Sequence, residues 1–179
     1  IDSFFVINIA LDSPVTNPNG LVNVDNNAVP EFADLDNDGD LDVFFGNGDG
    51  NIIFLENTGS SSTPAFDNTN SSSNPFGLDD VGLFSSPEFA DIDGDGDLDA
   101  FIGEYDGHTI YIENDGTASN PVFDTANSST NPFGLSNVGS FASPVFADID
   151  GDGDLDAFIG RYDGDIIYFE NAGGPTTPD

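Results

Sequence analysis

Apolar residues along this chain come in short runs, and no stretch spaces them every three to four positions as an amphipathic helix would. Gly, Pro, Asn and Asp interrupt the runs about every eight to ten residues. Three alternating segments, Asn51–Asn57, His108–Asn114 and Asp165–Asn171, each follow an Asp-Gly pair: Asp49-Gly50, Asp106-Gly107 and Asp163-Gly164. Asp-Gly between two β-rich runs predicts a hairpin, and because both residues tolerate positive φ, the turn expected is type I′. The pattern is that of an all-β chain.

The pattern also repeats. Pro30-Glu-Phe-Ala-Asp34 recurs as Pro87-Glu-Phe-Ala-Asp91 and Pro144-Val-Phe-Ala-Asp148, and Leu41-Asp-Val-Phe-Phe-Gly46 recurs as Leu98–Gly103 and Leu155–Gly160. The copies start at 34, 91 and 148, a period of 57 residues. The chain divides into repeat 1 (1–57) with an apolar N-terminal strand, repeat 2 (58–114), and repeat 3 (115–179) ending in a short Pro/Thr tail. Each offers strand, acidic loop, strand, Asp-Gly turn, strand and a fourth short strand such as Pro121–Asp124. A connector follows, ending in Asn-Pro-Phe-Gly-Leu (Asn74–Leu78, Asn131–Leu135). Four strands in a repeat of this length predict three β-propeller-type blades of four antiparallel strands, with the acidic loop between the first and second strand.

The acidic loop carries the chemistry. It reads Asp34-Leu-Asp36-Asn-Asp38-Gly39-Asp40-Leu-Asp42, then Asp91-Ile-Asp93-Gly-Asp95-Gly96-Asp97-Leu-Asp99, then Asp148-Ile-Asp150-Gly-Asp152-Gly153-Asp154-Leu-Asp156. Carboxylates at positions 1, 3, 5 and 9 around a glycine at 6 suit a hard cation that takes six to eight oxygens, which points to calcium, about one per repeat. Five carboxylates within nine residues repel one another unless a cation lies among them. Calcium at 100 times its dissociation constant would add about 2.7 kcal/mol per site, or about 8 kcal/mol over three, comparable with the whole stability of a domain. An EF-hand is excluded: it needs a Glu at loop position 12, where this chain has Phe45, Ile102 and Ile159 inside β-like runs.

Phe-Ala-Asp-x-Asp-x-Asp-Gly-Asp-Leu-Asp followed by Phe-Ile-Gly resembles the FG-GAP/VCBS calcium-binding repeats of integrin alpha-subunit-type β-propellers. The resemblance covers all three repeats. It implies calcium in the hairpin between the first two strands of each blade, ligated by the side chains at positions 1, 3, 5 and 9 and by the backbone carbonyl at position 7. The residues so assigned are Asp34, Asp36, Asp38, Asp40 and Asp42; Asp91, Asp93, Asp95, Asp97 and Asp99; and Asp148, Asp150, Asp152, Asp154 and Asp156.

Composition narrows the function. Of 179 residues, 34 are acidic and one is basic, a net charge of -33. No nucleic-acid partner is expected, since nothing could neutralise phosphates, and no docking on anionic membranes. No apolar run of about 18 residues predicts a membrane span. Cys is absent, so no disulfide or zinc-thiolate site exists. No Ser/His/Asp set, open zinc site or phosphate loop is recognisable, and the repeated acids are committed to metal, so no enzyme is expected. His108, the single imidazole, reads as a solvated strand residue, and Arg161, aligned with Asn47 and Glu104, as half of a private salt bridge. Asn70-Ser-Ser and Asn127-Ser-Ser fit the glycosylation pattern. Calcium loops, a nearly Lys-free surface, Ser/Thr-rich loops and a start at Ile1 rather than Met suggest a processed extracellular or cell-surface product.

The ends break the repeat. By register, Pro121–Asp124 would recur from Pro178 onward, so the third repeat lacks its fourth strand, while Ile1–Ala10 is far more apolar than its counterparts. One expectation is strand complementation, in which Ile1–Ala10 of one copy completes the last blade of another to form a homo-oligomeric ring or filament. The other is a fragment of a larger propeller. The function expected is a structural or adhesive calcium-stabilised repeat protein. The competing reading is a propeller that binds a glycan or cell-surface protein, with Tyr105, Tyr111, Tyr162 and Tyr168 as the available aromatic contacts.

Overall fold

The computed structural model describes residues 13–178, the side chain of Asn70 excepted. Among the described residues no α-helix forms; the chain builds eleven short strands in three antiparallel sheets. The first sheet holds β1 (Val29–Ala33), β2 (Asp42–Gly46), β3 (Ile52–Leu55) and β4 (Ser72–Ser73) in sequence order. The second repeats it with β5 (Ser86–Ala90), β6 (Asp99–Gly103), β7 (Thr109–Ile112) and β8 (Ser129–Thr130). The third has three strands among the described residues, β9 (Ser143–Ala147), β10 (Asp156–Gly160) and β11 (Ile166–Phe169). The sheets run across the 57/58 and 114/115 repeat boundaries, because the sequence period and the blade are offset.

Every residue of β2 and β6 is buried. A central strand is covered on both faces, so Val43 and Phe45 turn to one side while Phe44 serves the other. The faces between blades form continuous cores. Phe44, Phe54, Ile52 and Leu35 of the first blade pack with Phe89, Ala100 and Ile102 of the second. Phe101 and Tyr111 of the second pack with Phe146 and Leu155 of the third. The ring of Phe89 lies 4.6 Å from that of Phe44, and that of Phe146 lies 4.2 Å from that of Phe101. Each sheet alone would expose one apolar face, and burying it against the next repeat is what makes the array stable.

Two local expectations are corrected. The fourth strand is not Pro121–Asp124, which contributes only the bridge from Asn114 to Phe123, but the later pairs Ser72–Ser73 and Ser129–Thr130. The cause is a clamp on the edge of the third strand. Asn74 and Asn131 donate their backbone N–H to the carbonyls of Ile52 and Thr109 (2.6 and 2.7 Å), and their side-chain oxygens accept from the same residues (2.8 and 2.9 Å). The Asp-Gly turns are not type I′ either, since only the glycines (Gly50, Gly107, Gly164) have positive φ. Gly50 donates to the carbonyl of Asn47 across four residues and then takes the left-handed conformation itself, a turn-plus-bulge hairpin that asks nothing unusual of Asp49. The N-terminal strand Ile1–Ala10 lies outside the described residues.

Candidate metal centre

Each acidic loop closes the hairpin between the first two strands of its blade, at the end where Ala33 pairs with Asp42 and Ala90 with Asp99. The Asp-Gly turns lie at the other end, beyond Gly46 and Gly103. The loop folds on its own carboxylates. The N–H of Gly39 donates to Asp34 Oδ2 (3.1 Å), as Gly96 does to Asp91 and Gly153 to Asp148 (3.2 Å each). Those glycines hold φ of 98 to 99°, left-handed backbone that explains the glycine at position 6. The backbone N–H of Asp40, Asp97 and Asp154 donates to the position-5 carboxylate two residues back.

The result is a convergence of oxygens. In each blade the carboxylates at positions 1, 3 and 5 bring one oxygen apiece within 4.8 Å of one another: Asp34, Asp36 and Asp38; Asp91, Asp93 and Asp95; Asp148, Asp150 and Asp152. Calcium–oxygen distances of about 2.3–2.6 Å place any two ligands of one ion no farther than about 5 Å apart, so the spacing fits. Positions 7 and 9 add oxygens of another kind. Asp40 Oδ1, Asp97 Oδ1, Asp154 Oδ1, Asp42 Oδ2 and Asp156 Oδ2 are buried and find no hydrogen-bond partner among the described residues, and the same holds for Asp91 Oδ1 at position 1. Buried carboxylate oxygens left unpaired are costly, and a cation is the group that would satisfy them. The donor set, all oxygen and no sulfur or nitrogen, suits a hard divalent ion.

Electrostatics agree. Burial, reinforced by neighbouring loop carboxylates, pushes the Asp42 and Asp99 carboxyls up to about 7. Burial and then the surrounding carboxylates also raise Asp40, Asp97 and Asp154. For Asp97 those neighbours include Asp91, Asp93 and Asp95, so its side chain sits beside the other three. The family resemblance assigns position 7 to its backbone carbonyl; the side-chain oxygen there also lies buried beside the cluster, where it could serve a cation as a further oxygen.

Sequence reading missed the supports of this site. Asp42 Oδ1 accepts the backbone N–H of Asn57 at 2.7 Å, and Asp99 and Asp156 take Asn114 and Asn171 at 2.8 Å. The same Asn side chain locks the adjoining turn: Asn57 Oδ1 accepts from Gly59 and Ala65 (3.1 and 2.9 Å), and Asn114 Oδ1 from Gly116 and Val122 (3.0 and 2.9 Å). The signal was present, since Asn57, Asn114 and Asn171 keep the 57-residue period at a fixed 15 residues after position 9. Tyr111 also belongs here, its hydroxyl donating to Asp99 Oδ2 at 3.2 Å, where the first blade has Phe54.

That removes Tyr111 as a glycan contact, since it is buried against the metal loop. Tyr105 and Tyr162 instead stand at the opposite end of the sheets, in a ladder with Phe84 and Phe141 (Tyr105–Phe141 4.9 Å, Phe141–Tyr162 5.1 Å). Arg161 pairs with Asp163 at 2.6 Å, as its isolation suggested. Its counterparts Asn47 and Glu104 instead accept two turn N–H groups each, which a guanidinium cannot do. Among the described residues the His108 ring meets the side-chain amides of Asn131 and Asn137.

Three sheets with inter-blade cores and a cation-ready hairpin at one end define a repeat protein of the β-propeller-blade type. The chain belongs to the FG-GAP-like repeat family, which matches residues 34–102 and again 91–159. No curated protein and no solved structure matches it.

Proposed function

We propose that this chain is a non-catalytic, calcium-stabilised structural or adhesive module of the cell surface or extracellular matrix, working in assemblies of copies of itself. The observation that carries the reading is the set of unpaired, buried carboxylate oxygens beside three convergent carboxylates, recurring in each blade. Positions 1, 3, 5, 7 and 9 of each loop would hold the ion. Calcium supplies the positive charge, and the chain supplies a site already folded around it by the glycine at 6 and the Asn57-type lock. Membership of the FG-GAP-like repeat family supports an extracellular setting, and no helix among the described residues is long and apolar enough to cross a membrane.

Calorimetric titration of the chelator-treated chain tests this. Uptake of about three calcium ions per chain, with a melting temperature that rises with calcium and falls back with EDTA, is expected. A melt that EDTA leaves unchanged would refute calcium stabilisation. A second reading, glycan or protein binding, is favoured by the exposed aromatic ladder beside a cleft of about 320 Å³ bordered by Phe84, Phe141, Ser86 and Ser143. Binding on a glycan array that is lost in Tyr162→Ala would establish it.

A further inference from the structure

The three blades are equivalent in sequence, yet their faces are not equally covered. On the face that each blade turns toward the next, Leu35 and Ile92 are 2% and 4% exposed, while Ile149 of the third blade is 63% exposed. Ile52 and Thr109 are 0% and 1% exposed against 69% for Ile166, and Phe54 and Tyr111 are both 9% exposed against 45% for Tyr168. This face is apolar because in the first two blades it is an interior. On the opposite face of the first blade Val43, Phe45 and Leu55 are buried under Val24 and Phe66, but the edge strand β1 is left partly exposed. Phe32 is 47% exposed where its counterpart Phe89 is 8% exposed and seated on Phe44. Leu41 beside it is exposed too, at the rim of a cleft of about 430 Å³ that Phe32 helps to line.

We propose that these two faces dock on each other between two copies of this chain, head to tail. Phe32 of one copy seats on Phe158 of the other, as Phe89 seats on Phe44 and Phe146 on Phe101. Two copies of the three described blades bring six, within the four to eight that close a propeller, so the product proposed is a closed dimer with two identical joints. The occupant follows from the repeat itself, because among the described residues this face in the first two blades is covered by the Phe-bearing first strand of the following blade and the connector that leads into it (Phe76, Leu78 and Val81; Phe133), and the first blade carries such a strand with Phe32 exposed.

The joint differs from the internal ones in a telling way. Phe76, Phe84, Phe133 and Phe141 all hold left-handed backbone, which is costly for a bulky side chain and is sustained by aromatic packing between blades. At the matching positions of the first blade stand Asn19 and Asn27, which adopt the same conformation (φ 55 and 52°) at little cost. That rim therefore stays soluble before docking, and the joint between copies keeps one phenylalanine anchor where an internal joint has three. It is built to form between folded chains and to separate again.

The inference rests on the self-assembly reading above, and sedimentation velocity separates the two. In calcium, over about 1 to 100 µM, the range suited to a joint with a single large anchor, the 18.7 kDa chain should shift to twice its mass. Phe32→Asp and Ile166→Asp change exposed residues, so each should keep its calcium-dependent melt yet sediment as a monomer. Mixed together they should recover a dimer, since the pair retains one intact joint, an outcome that only a head-to-tail contact allows. Wild-type oligomers that both variants leave intact would overturn the docking face and keep self-assembly, pointing to Ile1–Ala10 exchange. A wild-type monomer throughout would overturn both, and the open face would then belong to further blades of a longer polypeptide.

Discussion

Replacing Asp42 by asparagine should raise the stability of the calcium-free protein and lower that of the calcium-loaded one. Asp42 is 1% exposed, one oxygen accepts the Asn57 N–H at 2.7 Å, and the other is buried without a partner. Asparagine keeps the acceptor and puts an uncharged amide where the unpaired oxygen stood. Relief of a buried charge beside Asp36, Asp38 and Asp40 should contribute on the order of 1 kcal/mol to the apo fold. With calcium the same change removes an anionic ligand. If affinity at that site falls about 100-fold, calcium at 100 times the wild-type dissociation constant contributes about 0.4 instead of 2.7 kcal/mol. The net effect is a loss of about 1.3 kcal/mol. At about 2–4 °C per kcal/mol for a chain of this size, Asp42→Asn should melt about 2–4 °C above wild type in EDTA and about 3–5 °C below it in calcium. Circular dichroism melts at pH 7.5 in both buffers read this directly. A variant that melts lower by the same amount in both would show that Asp42 acts only as a structural hydrogen-bond acceptor, and the metal assignment of position 9 would fall.

Two further predictions concern groups outside the ligand set. Burial and the nearby Glu31 push Glu88 up to about 7 from its usual 4.5, although its Oε1 accepts the Phe146 N–H (3.4 Å). The fold therefore holds a proton that the unfolded chain has released, so this group's contribution falls as pH rises from about 4.5 to 7. A shift of that size is at most about 3 kcal/mol, cut to about 1 by water access to a half-buried group. Glu88→Gln should thus melt about 2–4 °C above wild type at pH 8 and equal it at pH 5; a pH-independent difference would sink the argument. Asn114→Ala should cost about 2–3 kcal/mol, because the buried amide satisfies the N–H groups of Gly116 and Val122. An unfolding free energy from urea titration within about 0.3 kcal/mol of wild type would contradict the lock.

Most of the fold was legible because the repeat states it three times. The acidic loop, the strands on either side and the Asp-Gly hairpin all fall where the alternation and the glycines placed them. The fourth strand was not, because Ser72–Ser73 and Ser129–Thr130 carry no β-like pattern. Their pairing is imposed by the Asn74 and Asn131 clamps, a contact about 22 residues long in sequence that no local window reads. The turn type was misread for a related reason: Asp-Gly is compatible with several hairpins, and the choice is fixed by Asn47, Glu104 and Arg161 bracketing the loop. The supports of the metal site were hidden differently. Asn57 and Tyr111 have ordinary strand-end and strand chemistry, and only their meeting with Asp42 or Asp99 across the sheet gives them a role.

That meeting explains why the loop and the blade cannot be separated. A free nine-residue acidic peptide would gather five charges with nothing to hold them together. In the blade, glycine at 6 and the position-1 carboxylate set the turn, while the sheet buries position 9 and donates a backbone N–H to one of its oxygens. At Asp42 only the other oxygen is left over. The free energy that the fold spends in burying that oxygen would be returned by a cation bound to it, so on the proposed reading whatever strengthens the Asn57 lock should also strengthen ion binding, and the reverse. Where Tyr111 already donates to Asp99, part of that return is taken beforehand, and the second blade should depend on calcium less than the first.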